Sequence, residues 1–81
     1  MYYVIGGQYR YHYYGASKTL RGAKMLATRK QEYWDFVGWV TPRIYSAEPV
    51  ITTVNGVEMV FPIGDFSYYH DGKKWCENKE Y

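Results

Sequence analysis

The chain has 81 residues, seventeen of them aromatic (eleven Tyr, three Trp and three Phe), and a net charge of +2. Folding a chain this short buries roughly 60 to 65% of its unfolded surface, which predicts one compact domain over residues 1–81 and leaves little room for a deep active-site cavity. No apolar run is long enough to cross a bilayer, and the first residues lack a signal-peptide pattern. The single Cys76 excludes an internal disulfide and is typical of a reducing compartment. We therefore expect a cytoplasmic protein without membrane contact.

Charge is divided unevenly along the chain. Residues 1–43 contain seven Lys and Arg against two acidic residues, which is +5, whereas residues 44–81 contain three against six, which is −3. Summed charge steers association with partners more than it determines the fold. We therefore expect an acidic partner to meet the first half of the chain.

The N-terminal segment predicts β-structure. Tyr2 to Ile5 and Gln8 to Tyr14 are rich in Tyr and β-branched residues. Gly6-Gly7 between them indicates either a tight turn or a bulge within one long strand. Side chains alternate along a strand, so one face of the second segment should enter the core and carries Tyr9, Tyr11 and Tyr13. The other face should be exposed and carries Arg10, His12 and Tyr14.

A helix follows, with Ser17 as the predicted N-cap and a run without proline through at least Lys30. A spacing of about 100° per residue predicts a stripe that packs on a sheet. It consists of Leu20, Ala23 and Ala27, joined by Trp34 if the helix continues. The opposite side is basic: it carries Lys18, Arg21 and Arg29, with Lys24 and Lys30 at its flanks and Met25 in its middle.

Further strands are predicted from residue 36 onward. Residues 36–40 read as a strand that Thr41-Pro42 ends or places at an edge, because proline has no N–H to donate. Asn55-Gly56 suits a type I′ turn, and that turn would pair Val54 with Val57, Thr52 with Met59 and Ile51 with Val60. A strand near Pro42 or at the N-terminus would lie at the sheet margin and could pair with itself.

Asp71-Gly72 predicts a second two-residue hairpin. Its register sets Tyr68 opposite Trp75 as a packing pair and Tyr69 opposite Lys74 as an exposed cation–π contact. The residues from Asn78 to Tyr81 read as a fraying end.

This element order, β or ββ, then α, then about five β segments, predicts the α+β class. We expect a single helix packed on a curved, mainly antiparallel sheet. A small barrel half-wrapped around the helix is the alternative.

Motifs for catalysis are absent from the sequence. Lys18-Thr19 lacks the glycines of a phosphate-binding loop. A reactive thiol needs a nearby cation, helix N-terminus or imidazole, but Cys76 should lie on the hairpin face opposite His70. The His, Cys and acidic residues show no metal-ligand spacing. We therefore expect no enzyme activity, no metal and no cofactor.

The basic helix is the strongest indication of function. No acidic residue lies between Ser17 and Gln31, whereas a helix that is basic only for solubility more often mixes signs to form i,i+4 pairs. An ordinary solvated helix face remains the alternative. Tyr alternating with Arg10 and His12 also resembles surfaces that stack single-stranded nucleic acid. The candidate binding residues are Arg10, His12, Tyr14, Lys18, Arg21, Lys24, Met25, Arg29 and Lys30.

Residues 13–29 (YYGASKTLRGAKMLATR) and 38–48 (GWVTPRIYSAE) resemble small proteins encoded by phages and prophages. The resemblance spans about half of the chain and carries no catalytic motif. It implies a phage accessory protein, a group of compact proteins that includes anti-CRISPRs and other inhibitors of bacterial defence. Many such inhibitors are acidic mimics of DNA, and the basic helix departs from that pattern.

The expected function is therefore that of a non-enzymatic phage-type binding protein. It would occupy a surface of a host protein or ribonucleoprotein complex in the host cytoplasm, plausibly as an anti-CRISPR-like inhibitor. Direct binding of DNA or RNA through the same face is the alternative. Self-association into a homo-oligomer is left open.

Overall fold

The computed structural model describes residues 1–7, 11–30 and 40–79. These residues form two strands, one helix and five further strands, which confirms the α+β class and the predicted element order. The elements are β1 (Tyr2–Gly7), β2 (His12–Ser17), α1 (Leu20–Arg29), β3 (Val40–Tyr45), β4 (Val50–Val54), β5 (Val57–Phe61), β6 (Phe66–His70) and β7 (Trp75–Glu77). No helix among them has the length and apolar character that crossing a bilayer requires.

The strands form two sheets. Five of them make one sheet in the order β2-β1-β3-β6-β7, and β4 and β5 make a separate hairpin. Every recorded pairing is antiparallel, as predicted. The large sheet is open, with β2 and β7 at opposite edges, and it does not curl around the helix or close. The expected curvature and the barrel alternative were therefore wrong.

The large sheet separates two hydrophobic clusters. On one face α1 covers Val4 and Ile44 with Ala23 and Ala27, all four fully buried. On the other face Ile5 and Tyr45 pack with Val60 of the β4–β5 hairpin. The molecule thus has three layers, helix, sheet and hairpin, because successive side chains of β1 and β3 point to opposite faces.

The helix packs through the predicted stripe but begins later than predicted. Ala23 and Ala27 are fully buried and Leu20 packs beside them, so the sheet lies close to the helix axis. The N-cap is Thr19, whose Oγ1 accepts a hydrogen bond from the Gly22 N–H at 3.0 Å. Ser17 instead ends β2, so its assignment as N-cap was wrong. Residue 34 lies outside the described residues.

The glycine pair near the N-terminus forms neither a turn nor one long bulged strand. Gly6 and Gly7 are the last residues of β1, which turns back into β2. In the β1–β2 register Ile5 pairs with Tyr13 and Val4 with Gly15, so Tyr14 is an extra residue between the two pairs. A bulge of this kind redirects the side chains that follow it.

Tyr13 and Tyr14 of β2 lie on different faces of the sheet, as the alternation along a strand predicts. Tyr13 packs with the hairpin-side cluster, as predicted for a core residue. Tyr14 packs with the helix-side cluster and is half-buried, so its assignment to an exposed face was wrong. Tyr11, expected in the core, is 36% exposed. Tyr9 and Arg10 lie outside the described residues.

Pro42 is a buried residue inside the central strand β3 rather than its end. The strand begins at Val40 and continues to Tyr45, while the predicted strand positions 36–39 lie outside the described residues. The β1–β3 register shifts between Ile5 and Gly7. Proline is accommodated at such a point because the regular hydrogen-bond ladder is already interrupted there.

The first predicted hairpin is confirmed in turn type and register. Asn55 and Gly56 have φ values of 52° and 78°, the positive values that a type I′ turn requires. Val54 pairs with Val57, Thr52 with Met59 and Ile51 with Val60. Local turn chemistry therefore determines this hairpin.

The second hairpin has a longer loop than predicted. His70 pairs with Trp75, and the four residues from Asp71 to Lys74 form the loop. Asp71 Oδ1 accepts hydrogen bonds from the backbone N–H groups of Lys73 and Lys74, each at 2.8 Å. These side chain-to-backbone bonds stabilise a four-residue loop in place of the predicted two-residue turn.

This loop moves the register by two residues. The predicted pairs of Tyr68 with Trp75 and Tyr69 with Lys74 were therefore wrong: Tyr69 pairs with Cys76. A shift of two preserves the faces, so Tyr68 and Trp75 still pack against the same helix-side cluster.

Asn78 is held in place rather than frayed. Its backbone N–H donates to the Ser67 carbonyl at 2.9 Å, and its Nδ2 donates to the Phe66 carbonyl at 2.8 Å. The end of the chain from residue 80 lies outside the described residues.

Candidate functional site

The basic side of α1 is a continuous exposed surface. It comprises the exposed Lys18, Arg21, Met25, Arg29 and Lys30, with Lys24 half-buried at its margin. We call these six residues the basic helix face. Arg21, Lys24, Met25 and Arg29 lie on the ten residues of α1, a length of about 15 Å. Lys30 is the C-cap, and Lys18 precedes the N-cap Thr19, so the prediction that Lys18 lies on the helix was wrong.

Four cations of this face have no ion-pair partner within the described part of the chain. No acidic side chain there forms an ion pair with Lys18, Arg21, Lys24 or Arg29. The described acidic residues of the C-terminal half, which has a net charge of −3, thus form no ion pair with these four cations.

The charge arrangement of α1 also opposes the helix dipole at its start. The first turn contains no acidic residue and instead contains Arg21. Positive charge near a helix N-terminus is unfavourable, typically by about 0.3 to 1 kcal/mol at the surface. Arg29 in the last turn is favourable. The sequence of this helix therefore does not maximise helix stability.

A small cleft joins the helix to the tyrosine-rich strand. Its volume is about 170 Å³, and it is lined by His12, Tyr13, Tyr14 and Lys30. The structure thus brings three predicted site residues, His12, Tyr14 and Lys30, to one place at the C-terminal end of α1. His12 is half-buried there. The cleft therefore adjoins the basic helix face at Lys30 and reaches β2 on its other side.

Sequence reasoning missed an apolar surface on the β4–β5 hairpin. Residues that pair across two strands share a face, so Val50, Thr52 and Val54 lie on the same face as their partners Phe61, Met59 and Val57. Val50, Val54, Val57 and Phe61 are between 39% and 53% exposed. Exposed apolar patches often mark interaction sites. The sequence signal was the apolar residues on both alternating sets of positions.

Sequence reasoning also missed a concavity on the sheet face opposite α1. It has a volume of about 620 Å³ and is lined by Thr41, Arg43, Phe66, Tyr69, Glu77, Asn78 and Lys79. The Arg43 guanidinium lies 4.6 Å from the centre of the Phe66 ring, which is a cation–π contact. Its lining is mostly polar and carries charges of both signs. It is therefore suited to water and small polar groups more than to an apolar ligand.

Two tyrosine hydroxyls near this face are held in their neutral form. Burial raises the pKa of Tyr45, although a hydrogen bond from Arg43 opposes that shift. Burial also raises the pKa of Tyr13, and the nearby carboxylate of Glu48 adds to it. Neither residue has the lowered pKa that a tyrosinate nucleophile needs.

The thiol of Cys76 forms weak hydrogen bonds with residues of the β6–β7 loop. Its Sγ lies 3.6 Å from Asp71 Oδ2 and 3.9 Å from the Lys74 carbonyl. The His70 ring instead packs edge-on against Trp75, with ring centres 5.4 Å apart. Among the described residues, no three His, Cys, Asp or Glu side chains lie close enough to share a metal ion.

Comparison with protein-family models, with curated proteins and with solved structures found no match to this chain.

Proposed function

We propose that this chain is a non-enzymatic binding protein that attaches to an acidic surface of a protein or ribonucleoprotein through the basic helix face and the adjoining His12–Lys30 cleft. The observation that carries the proposal is that the exposed cations Lys18, Arg21 and Arg29 have no ion-pair partner among the described residues. A cation at the surface binds an external carboxylate without first breaking an internal pair.

The composition of the face favours a protein partner over bare nucleic acid. Met25 lies among the cations and is 49% exposed. Methionine adapts to irregular apolar contacts and is over-used at protein-binding surfaces, and its side chain adds nothing to phosphate contacts. Arg21 and Arg29 are suited to bidentate pairing with carboxylates. Among the described residues, the two tyrosines of the adjoining cleft, Tyr13 and Tyr14, are half-buried and so present little ring surface for stacking bases.

A charge-reversal pair tests the proposal. Arg21→Glu with Arg29→Glu should abolish partner capture and leave Tm nearly unchanged, because exposed charges contribute little to stability. The matched control is Lys73→Glu with Lys74→Glu, which changes the net charge by the same amount on the exposed β6–β7 loop. The immobilised chain is exposed to nuclease-treated bacterial lysate, and bound protein is quantified by mass spectrometry.

The two variants separate a local site from general charge. We expect the loop variant to retain a partner that the helix variant loses. Retention of that partner by the helix variant would show that α1 is not the site. Loss in both variants would show that net charge alone drives the capture.

Direct nucleic-acid binding is distinguished by salt. If all five helix cations met phosphates, log affinity for a DNA duplex would fall with log salt at a slope of about −4 to −5. We expect no such binding to labelled duplex or single strands at low salt. A measured slope in that range would favour the nucleic-acid alternative instead.

The finer proposal is inhibition of a nucleic-acid-targeting defence complex of bacteria. Its support is the resemblance of residues 13–29 and 38–48 to phage-encoded proteins. It is tested by adding the chain to a purified CRISPR effector and measuring target cleavage. Inhibition that is lost in the Arg21→Glu, Arg29→Glu variant would support it, and undiminished cleavage by a panel of effectors would count against it.

A further inference from the structure

The outer edge of β4 is open. β4 pairs with β5 on one side only, and all five of its residues, Val50–Val54, are exposed. No backbone hydrogen bond outside the β4–β5 ladder reaches these residues from the described part of the chain. An edge strand with unpaired N–H and C=O groups is a template for another strand.

β4 also lacks the features that usually protect an edge. Its sequence, VITTV, has no Lys, no Pro and no bulge, and it consists of residues with high β-propensity. The edges of the large sheet differ: β7 has three residues and follows Lys73 and Lys74, and β2 is in contact with α1 and β5. Among the described strands β4 is the long, uncharged and uncovered edge.

We propose that β4 binds β4 of a second copy of this chain in an antiparallel pair centred on Thr52. A second copy fits because no charged residue lies between Glu48 and Glu58, so two identical strands meet without like-charge repulsion. An acidic partner, which the basic helix face would attract, finds no cation on this edge.

The turn determines which backbone groups are available. In a two-residue type I′ hairpin the pair next to the turn, Val54 and Val57, is hydrogen-bonded, and the pairs then alternate. Residues 50, 52 and 54 therefore direct their N–H and C=O groups to β5. Ile51 and Thr53 direct theirs outward.

These outward groups select one register. When Thr52 lies opposite its own counterpart, Ile51 of each chain faces Thr53 of the other, and four N–H···O=C bonds form. A register centred on Ile51 would place Thr53 opposite Pro49, which has no N–H, and one centred on Thr53 would run into the turn at Asn55. The Thr52-centred register is therefore the one in which all four bonds join residues of β4.

The same register joins the apolar surfaces of the two hairpins. Val50 of one chain lies opposite Val54 of the other, so the exposed faces merge into one four-stranded apolar face. Strand pairing of this length buries roughly 400 Å² per chain, about half of a standard interface. The dimer should therefore be reversible and depend on concentration.

Cysteine cross-linking tests the register. In a Cys76→Ala background, Thr52→Cys places two thiols at a non-hydrogen-bonded pair about 4.5 Å apart at Cα, within disulfide range. The matched control is Thr53→Cys, the same residue type on the same strand, whose counterparts lie roughly 7 to 8 Å apart on the diagonal. Under a mild oxidant we expect Thr52→Cys to form covalent dimer at least about ten times faster. Equal rates would overturn the proposal.

Mass measurement tests the association itself. Sedimentation equilibrium of the unmodified chain from about 10 µM to 1 mM should show a monomer–dimer equilibrium. Thr53→Pro removes an outward N–H but no β4–β5 bond. It should raise the protein concentration at which half of the chains are dimeric by at least about tenfold. A chain that stays monomeric at every concentration would overturn the proposal. So would a monomer whose β4 binds only a foreign extended peptide. If Thr53→Pro fails to fold, as judged by circular dichroism, the cross-linking rates alone decide.

Discussion

Gly6 and Pro42 are in close contact across the β1–β3 pair. A Cβ added to Gly6 would stand 3.0 Å from the Pro42 Cα and 3.0 Å from Tyr14 Cε2. Real Cβ atoms rarely approach other atoms this closely, and one of the two neighbours is backbone that cannot rotate away. The central strand thus accepts a buried proline because glycine lies beside it.

Gly6→Ala should accordingly destabilise the protein. The φ of Gly6 is not positive, so alanine there would by itself stabilise by about 0.4 to 1 kcal/mol through the unfolded chain. Overpacking against Pro42 and Tyr14 should reverse the sign and lower the free energy of unfolding by about 1 to 3 kcal/mol. Urea denaturation measures the change. A stability gain would show that the two strands separate easily.

Gly22 is required by the turn that joins β2 to α1. A Cβ at Gly22 would collide with Ser17 Oγ and stand 3.0 Å from Thr19 Oγ1. Gly22→Ala should therefore destabilise, although alanine favours a helix interior by about 1 kcal/mol. Ser17→Gly should reduce that loss. A double-mutant cycle on the four proteins measures the coupling, and additive effects would contradict the contact.

Asp71 should make the β6–β7 loop sensitive to acid. Hydrogen bonds from the backbone N–H groups of Lys74 and Lys73 hold the pKa of its carboxyl below its ordinary value of 3.8. The folded state thus favours the ionised form, so this stabilisation is complete above pH 3.8 and is lost as pH falls through the lower folded-state pKa. NMR titration of the Lys73 and Lys74 amides should report that lowered pKa.

Two substitutions at this position separate charge from hydrogen bonding. Asp71→Asn retains an acceptor oxygen and should remove the titration while preserving the four-residue loop. Asp71→Ala should remove both the titration and the acceptor oxygen, and should alter the His70–Trp75 pairing. If the wild-type amides titrate at an ordinary aspartate pKa, the two hydrogen bonds do not persist in solution.

Asn78→Ala should loosen the end of the chain. It removes the bond from Nδ2 to the Phe66 carbonyl, worth about 1 kcal/mol, but leaves the backbone bond to Ser67. Hydrogen exchange of the Asn78 amide should quicken, while that of Val4 in the core changes less. Asn78→Asp, with a carboxylate facing a carbonyl, should be worse than Ala at neutral pH. Unchanged exchange in both variants would mean that the end frays despite these contacts.

The local elements could be predicted because their causes are local. Asn55-Gly56 adopts positive φ at little strain, so the turn and the β4–β5 register follow from two residues. The Ala23 and Ala27 stripe follows from helix periodicity. The lack of acidic residues between Ser17 and Gln31 can be read from the sequence. The prediction for the loop after His70 failed because Asp71-Gly72 is compatible with two turns. The Asp71 side chain selects one of them by accepting hydrogen bonds from the backbone N–H groups of Lys73 and Lys74.

The tertiary structure decided what each face meets. α1 packs on the face of β2 that carries Tyr14, and so brings the Tyr14 side chain into contact with the helix-side core. The hairpin's return onto Ile5 and Tyr45 buries Val60 and leaves Val50 and Val54 exposed. Burial depends on contacts between residues far apart in the chain, which no local pattern specifies. The grouping of Arg21 and Arg29 on one side of α1, in contrast, was determined by the sequence alone, since it needs only helix periodicity.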